Sequence, residues 1–354
     1  MHPEGSRCIT ISLHGGTSSV RDLARSRSWR FQPSRCASAE PIRPPLASSP
    51  ELVHYCHMFG PQILVRTMSV PRVRSNGTHK WQYHPRSDHH SKVACWGILF
   101  DLLRHSPLLQ DHVRAGKVAF GINHTMVNFT NGKKKDLDLV ICRPAGGRDD
   151  GAASHGKRKG KARKAPATFH DMVDTYAIEL WDEEKEILES FPNVPVRPVG
   201  SVLMALEAKA AMTEFAKARP RLYDELASSQ VTVHADTNHA IAVGLALVNG
   251  SETFVSPTAN PCIAYGAPLK ISKHAQPRQL ELTIKHLKSL PRRANLDVAG
   301  FDALAVLAVD CKNDGKTPVS LIQGEPAPQA GDAVNYDSMI NRTVGWYASR
   351  FPNG

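Results

Sequence analysis

The feature that most constrains the fold is a nearly unbroken apolar run, AIAVGLALV, at residues 240–248. A strand that is hydrophobic at every position is typical of a sheet covered on both faces. A second strand-like segment, residues 199–209, has an apolar centre at residues 202–206. Between the two, residues 212–228 place apolar side chains near one face of a helix. A strand, a helix and a buried strand therefore follow one another along the chain.

The preceding segments extend this order. Residues 91–105 repeat apolar side chains at helical spacing and predict an amphipathic helix, with a shorter helix at 107–114. Strands are predicted at 117–122 and 126–130, an Asn-Gly pair then favours a hairpin turn, and residues 136–142 form the returning strand. The fold class is thus α/β, with a mixed central sheet between helices.

Further elements are predicted on either side of this core. The acidic residues 171–189 are expected to form a helix, as are residues 280–287. The apolar run at 304–311 is a late buried strand or a buried helix, since periodicity does not separate the two.

The domain organisation follows from shifts in composition. Residues 1–67 are rich in Arg, Ser and Pro and poor in acids, so we expect a disordered basic N-terminal segment. A transit peptide, or sequence upstream of a true start at Met58 or Met68, stays open as an alternative. One folded domain is expected at 68–330, with a mobile basic insertion at about 144–168. Residues 331–354 are expected to be a C-terminal extension packed on that domain.

The charge and the cysteines limit the class of protein. The net charge of +11 and the pI of about 9.4 favour a polyanionic partner. Seven widely spaced cysteines without a Cys-x-x-Cys pair indicate reduced thiols in a cytoplasmic protein. No apolar run approaches the roughly 20 residues that a membrane span requires. No glycine-rich phosphate loop, nucleotide-binding fingerprint or serine-elbow motif supports the enzymes that those motifs mark.

Two of the predicted strands carry acidic side chains beside apolar runs. One contains Asp136 and Asp138 in the segment KDLDLVI, and the other contains Glu207 and Lys209 in the segment LEAKA. Because side chains two residues apart share one face of a strand, each pair is expected to point the same way. A carboxylate in such a place is costly unless it is paired or binds a metal, so the pattern indicates a functional site. The opposite face of the first strand is then apolar and formed by Leu137, Leu139 and Ile141.

An Asp-bearing strand, then Glu-x-Lys at the end of an apolar strand, then a helix, resembles the PD-(D/E)XK nuclease superfamily of type II restriction endonucleases. The resemblance covers roughly residues 91–250 and implies a restriction-endonuclease-like αβββαβ core. It implies that Asp138 and Glu207 hold Mg²⁺, with Mn²⁺ as a substitute, and that Lys209 assists the attacking water. Asp136 remains a second candidate for the first metal ligand.

The resemblance also implies a substrate and partners. The domain at 68–330 would be the nuclease domain of an endonuclease that hydrolyses double-stranded DNA, in restriction or genome defence. A homodimer and a cognate DNA methyltransferase that acts on the same site are expected by resemblance only. The phosphates would be contacted by basic residues of the helix after Glu-x-Lys and of the basic insertion, namely Lys217, Arg219, Arg221, Lys157, Arg158 and Lys159.

Three alternatives stay open at this point. The same fold could be a DNA-binding module without catalysis. A metallophosphodiesterase could use His234, Asp236 and His239, whose residue types and close spacing suit Zn²⁺ or Mn²⁺. Asp310-Cys311-Lys312 also places an acid and a lysine two residues apart after an apolar run, without a predicted Asp-bearing hairpin before it.

Overall fold

The computed structural model describes residues 58–354 except 75–78, 128–131, 133, 147–165 and 264–265. The helices are α1 (Gly60–Ser69), α2 (His89–His105), α3 (Pro107–Arg114), α4 (Asp171–Tyr176), α5 (Asp182–Ser190), α6 (Phe215–Asp236), α7 (Arg278–Lys288) and α8 (Tyr336–Arg350). The strands are β1 (Val73–Arg74), β2 (Lys80–Trp81), β3 (Ala119–Val127), β4 (Lys134–Pro144), β5 (Val199–Ala211), β6 (Ile241–Asn249), β7 (Thr253–Val255), β8 (Ile271–Lys273), β9 (Ala303–Asp310) and β10 (Ser320–Leu321).

A mixed six-stranded sheet in the order β10-β9-β6-β5-β4-β3 organises the fold. Strands β5, β6 and β9 are parallel, whereas β3, β4 and β10 each run antiparallel to their neighbours. Helices α1, α2 and α8 supply apolar side chains to the core on one face, and α6 and α7 supply them to the core on the other. The predicted α/β class, with a mixed sheet flanked by helices, is confirmed.

The two strands that suggested this architecture, at 199–209 and 240–248, are β5 and β6. All nine residues of β6 are buried, because β6 lies in the middle of the sheet with a core on each face. The run at 304–311 forms β9 and is a strand. Helix α2, by contrast, is not amphipathic. Its residues from Ser91 to Leu103 are all buried, since α2 packs against α1, α8 and β5.

Two local boundaries differ from the prediction because of backbone turns. The strands predicted at 117–122 and 126–130 are one strand, β3, which pairs antiparallel with β4 as the hairpin requires. Asn123 interrupts the ladder inside β3 with a left-handed φ of 51°. The single helix predicted at 171–189 is two, α4 and α5, because Ala177 ends α4 with a left-handed φ of 50°.

The predicted disordered segment, 1–67, extends too far toward the domain. Helix α1 lies mostly within that range and buries Ile63 and Leu64, so its apolar face stabilises it despite the polar surroundings in sequence. Residues 1–57 and most of the basic insertion lie outside the described residues. Helix α8, in the segment predicted as a C-terminal extension, adds Met339 and Ile340 to the core that α1 and α2 share.

Helix α1 packs against α2 through two glycines, Gly60 and Gly97. A Cβ on Gly97 would lie 2.9 Å from the Gly60 Cα, closer than Cβ atoms approach other atoms. We therefore expect Gly97→Ala to lower the free energy of unfolding by about 1–3 kcal/mol, despite the better helix propensity of alanine. The matched variant is Gly345→Ala in α8, where nothing lies within 4 Å and a gain of up to ~1 kcal/mol is expected. Urea unfolding compares the two, and a stabilised Gly97→Ala would contradict the close contact.

No helix in the described part of the chain is both long and apolar enough to cross a membrane.

Candidate active site

The site lies where β4 and β5 stop pairing. Their antiparallel ladder ends at Leu139 and Leu206, and β5 continues alongside β6. Beyond that point, side chains bond to the backbone of the neighbouring strand. Ala208 N donates to Asp138 Oδ2 at 3.1 Å, and Asp138 N lies 3.3 Å from Glu207 Oε2, to which it donates. These reciprocal bonds fix both carboxylates at the fork between the strands.

Both carboxylates are buried, with residue exposures of 8% for Asp138 and 2% for Glu207. Lysine ammonium groups compensate this burial. Lys209 Nζ lies 2.7 Å from Glu207 Oε1 and 4.0 Å from Asp138 Oδ2, so the ammonium of Lys209 stabilises the charge of both carboxylates. Lys135 Nζ approaches Glu207 Oε1 at 3.8 Å. The predicted trio of Asp138, Glu207 and Lys209 therefore forms one cluster.

Helix α2 contributes two further side chains that the sequence analysis missed. Lys92 Nζ donates to Asp138 Oδ1 at 2.7 Å and to the Asp138 carbonyl oxygen at 3.0 Å. Ser91 Oγ donates to the same Oδ1 at 2.9 Å. The sequence held a signal, since Lys92 precedes Trp96 and Leu99 by four and seven residues and therefore shares a helix face with these apolar side chains. A lysine in that position requires a buried partner.

The surroundings shift the pKa of each group differently. Burial raises the pKa of the Asp138 carboxyl, but the charges of Lys92 and Lys209 outweigh it and hold that pKa below its usual value. Burial, together with the neighbouring Asp138 charge, raises the pKa of Glu207. Burial lowers the pKa of Lys209, yet the charges of Glu207 and Asp138 prevail and raise it. Lys209 is therefore protonated at neutral pH.

His90 lies in the same N-terminal turn of α2 as Ser91 and Lys92, near the cluster. Its ring centroid is 4.9 Å from that of Tyr83. Burial lowers the pKa of His90 to about 4, despite the opposing effect of Asp138. His90 is thus neutral at physiological pH and adds no positive charge to the site.

Asp136 does not join the cluster, although strand periodicity placed it on the same face as Asp138. Its side chain is exposed and accepts a hydrogen bond of 2.5 Å from Thr125 Oγ1 on β3. Asp138 lies opposite Asn123, where the ladder is interrupted, so regular alternation fails there. Leu137 accordingly joins the α6 side of the core, while Leu139 and Ile141 join the α2 side. The expectation that these three side chains share one face is wrong.

Of the basic side chains in α6 that were predicted to contact phosphates, two are exposed to solvent and one is half-buried. In α6, Lys217 is exposed and 3.6 Å from Glu214, and Arg221 is exposed and 3.7 Å from Glu225. Arg219 donates to Gln279 Oε1 at 2.7 Å and is half-buried. The other three predicted contacts lie outside the described residues, namely Lys157, Arg158 and Lys159.

The histidine alternative is not assembled into a site. His234 Nε2 lies 3.4 Å from Asp302 Oδ2, a carboxylate already bound by Arg293 and Arg350. His239 is exposed, and the side chain of Asp236 lies outside the described part of the chain. Arginines that surround an acid compete with a metal for it, so this cluster is structural.

The second Asp-x-Lys pair also lacks the features of the first. Asp310 ends β9, and its Oδ1 is buried without a hydrogen-bond partner. Lys312 is exposed. Within the described residues, no group of three His, Cys, Asp or Glu side chains forms around Asp310, and the pair does not reproduce the mutual fixation seen at the β4–β5 fork.

The fork fits a hard divalent cation. Glu207 Oε1 is buried and has no hydrogen bond of acceptable geometry, although Lys209 lies close to it. Among the described residues, Asp138 Oδ2 accepts a hydrogen bond from the Ala208 amide alone, so each carboxylate keeps an oxygen able to bind a metal. Within the described residues, no three His, Cys, Asp or Glu side chains converge on a metal position. Mg²⁺ commonly takes only one or two protein carboxylates and fills its shell with water and phosphate oxygens.

Comparison of this chain with protein-family models, with curated proteins and with solved structures found no match.

Proposed function

We propose that this chain is a Mg²⁺-dependent endonuclease that hydrolyses phosphodiester bonds in double-stranded DNA. The observation that carries the proposal is the mutual fixation of Asp138 and Glu207 at the β4–β5 fork, with Lys209 within 4.0 Å of both carboxylates. Metal-dependent phosphodiester hydrolysis uses such components, namely carboxylates that hold a metal and a cation near the attacked phosphate. A buried pair of acids kept beside a protonated lysine is costly for stability alone.

The order of elements supports the same proposal. Helix α2, strands β3, β4 and β5, helix α6 and strand β6 follow one another as in the αβββαβ core of PD-(D/E)XK nucleases. The segment between β4 and β5 carries α4 and α5 as an insertion into this order. Glu207 and Lys209 lie near the end of β5, directly before α6, as the resemblance requires.

Each side chain has a role that its position suggests. Asp138 Oδ2 and Glu207 Oε1 would hold Mg²⁺, which lowers the pKa of bound water and polarises a phosphate oxygen. Lys209 is protonated, so it donates a hydrogen bond to the attacking water or to a phosphate oxygen and does not act as a base. The backbone amides of Asp138 and Ala208 keep the two carboxylates in place throughout.

The substrate and partners are proposed from charge and resemblance. The net charge of +11 favours a polyanion, and Lys217 and Arg221 are exposed on the helix that follows the site. Many enzymes that cut both strands of a duplex work as dimers, so a homodimer is proposed by resemblance. A role in restriction or genome defence, with a cognate methyltransferase, follows from the resemblance alone.

Cleavage of a supercoiled plasmid tests the function. We expect nicked and linear products with Mg²⁺ or Mn²⁺ and a complete loss of cleavage in excess chelator, since the carboxylates alone cannot activate water. His234→Ala should cut at the wild-type rate if it folds, because its ring pairs with Asp302 and not with the site. Tight plasmid binding without cleavage would support a DNA-binding module, and loss only in His234→Ala would support the histidine alternative.

A further inference from the structure

The most unusual group near the proposed site is Lys92, a lysine that is completely buried. The Lys92 side chain has 0% exposure, and its ammonium contacts Asp138 Oδ1 and the Asp138 carbonyl oxygen. A lysine is almost never fully buried unless it is paired. Lys209 and Lys135 differ from it, because their side chains are 26% and 20% exposed and can reach water.

The hydrogen bonds divide the oxygens of the two carboxylates into two kinds. Asp138 Oδ1 already accepts bonds from Lys92 and Ser91. Glu207 Oε2 is the acceptor for the Asp138 amide. Asp138 Oδ2 and Glu207 Oε2 each accept one backbone amide and keep a free lone pair. Of the oxygens that keep capacity, Asp138 Oδ2 and Glu207 Oε1 face the ammonium of Lys209. Two oxygens that face one small volume suit one cation.

The formal charges at the fork do not favour a metal without substrate. Asp138 and Glu207 contribute two negative charges, whereas Lys92, Lys209 and Lys135 contribute three positive charges within 4.0 Å of them. Glu225, which also acts on Lys209, pairs with Arg221 and leaves this balance unchanged. A divalent cation would therefore enter a cluster that is already positive. The single negative charge of a phosphodiester cancels that excess.

We propose that Lys92 is a built-in cation of the active site that permanently occupies one oxygen of Asp138. The site then takes one divalent cation, through Asp138 Oδ2 and Glu207 Oε1, and takes it strongly only together with a phosphodiester. This deepens the proposed nuclease function and rests on it. By linkage, DNA tightens metal binding by the same factor by which the metal tightens DNA binding.

Mn²⁺ titration followed by electron paramagnetic resonance and calorimetry tests the proposal without turnover. The wild-type protein alone should bind one Mn²⁺ weakly. A short duplex with a non-hydrolysable phosphorothioate linkage should tighten that binding about tenfold or more. Lys92→Met, which keeps the length of the side chain and removes its charge, should bind Mn²⁺ about tenfold more tightly than wild type when DNA is absent.

The matched control is Lys285→Met, which removes the same charge from an exposed position of α7 and should leave Mn²⁺ affinity unchanged. Two bound ions, or tight binding by wild-type protein without DNA, would overturn the proposal even if Lys92→Met does not fold. So would a folded Lys92→Met that binds Mn²⁺ no better than Lys285→Met. Plasmid cleavage by wild type in each of these cases shows that the nuclease function stands while the role of Lys92 fails. An absence of both Mn²⁺ binding and cleavage overturns both.

Discussion

Replacing Glu207 with glutamine is expected to lower the rate of DNA cleavage by roughly a thousandfold or more while leaving the fold and the metal-free binding of DNA in place. Glutamine has the shape of glutamate, so the bond from the Asp138 amide to the side-chain carbonyl oxygen can remain. The change removes the negative charge at the position of Oε1, the oxygen that lacks a hydrogen bond of acceptable geometry. A neutral amide is a much poorer ligand for Mg²⁺ than a carboxylate.

The stability of this variant should change little. Burial raises the pKa of Glu207, so the folded protein pays to keep this carboxylate ionised, and the neutral amide removes that cost. Lys209 loses its nearest partner, but its side chain is 26% exposed and can be solvated instead. A loss of activity therefore reports on the metal position and not on unfolding.

Single-turnover cleavage of plasmid in Mg²⁺ gives the rate, and fluorescence anisotropy with a labelled duplex in chelator gives the metal-free DNA affinity. The control is Glu189→Gln, an exposed acid on α5 whose loss should change neither quantity. Cleavage by Glu207→Gln at the wild-type rate would refute the assignment of Glu207 as a metal ligand. It would leave the fold and the geometry of the fork as they are.

The parts of the site that the sequence predicted are those set by local periodicity. Glu207 and Lys209 occupy one regular strand, so the period of two fixes their common direction without reference to the rest of the chain. The same holds for β6, whose continuous apolar run needs a core on both faces wherever the strand lies. Such patterns can be predicted from the sequence because they depend only on residues that are close to one another along the chain.

The parts that the sequence did not predict depend on contacts between distant segments. Lys92 meets Asp138 across 46 residues of chain, and no periodicity connects them. The choice between Asp136 and Asp138 depends on the left-handed Asn123 in the neighbouring strand, a single backbone angle that breaks the alternation. Helix α1 was missed because its short apolar segment is stabilised by α2, not by its own sequence.

The largest loss of stability is expected from Asp302→Asn, which should lower the free energy of unfolding by about 3–5 kcal/mol. Asp302 Oδ1 lies 2.7 Å from Arg293 Nε and 2.5 Å from Arg350 Nη2, and Oδ2 accepts the Ala242 amide at 2.8 Å. The side chains of Asp302 and Arg293 are both fully buried. Removing the negative charge leaves a buried guanidinium without its counterion, which is far more costly than losing an exposed ion pair.

The dependence on pH has a definite sign. Burial raises the pKa of Asp302, but interactions with His234, Arg293 and Arg350 outweigh it and hold the pKa well below its usual value. A depressed pKa stabilises the folded state above the pKa of the unfolded chain, about 3.9, and this contribution is lost as the pH falls below that value. The difference between wild type and Asp302→Asn should therefore be complete at neutral pH and shrink below about pH 4.

Urea unfolding of both proteins at neutral and acidic pH measures this difference, with Asp297→Asn as the matched control because Asp297 is exposed in the same segment of the chain. A constant difference at all pH values would show that the loss comes from packing and not from the carboxylate charge. A loss no larger than that of Asp297→Asn would contradict the structural role of this network. Because His234 also contacts Asp302, this ion-pair network explains the position of His234 without a metal ion.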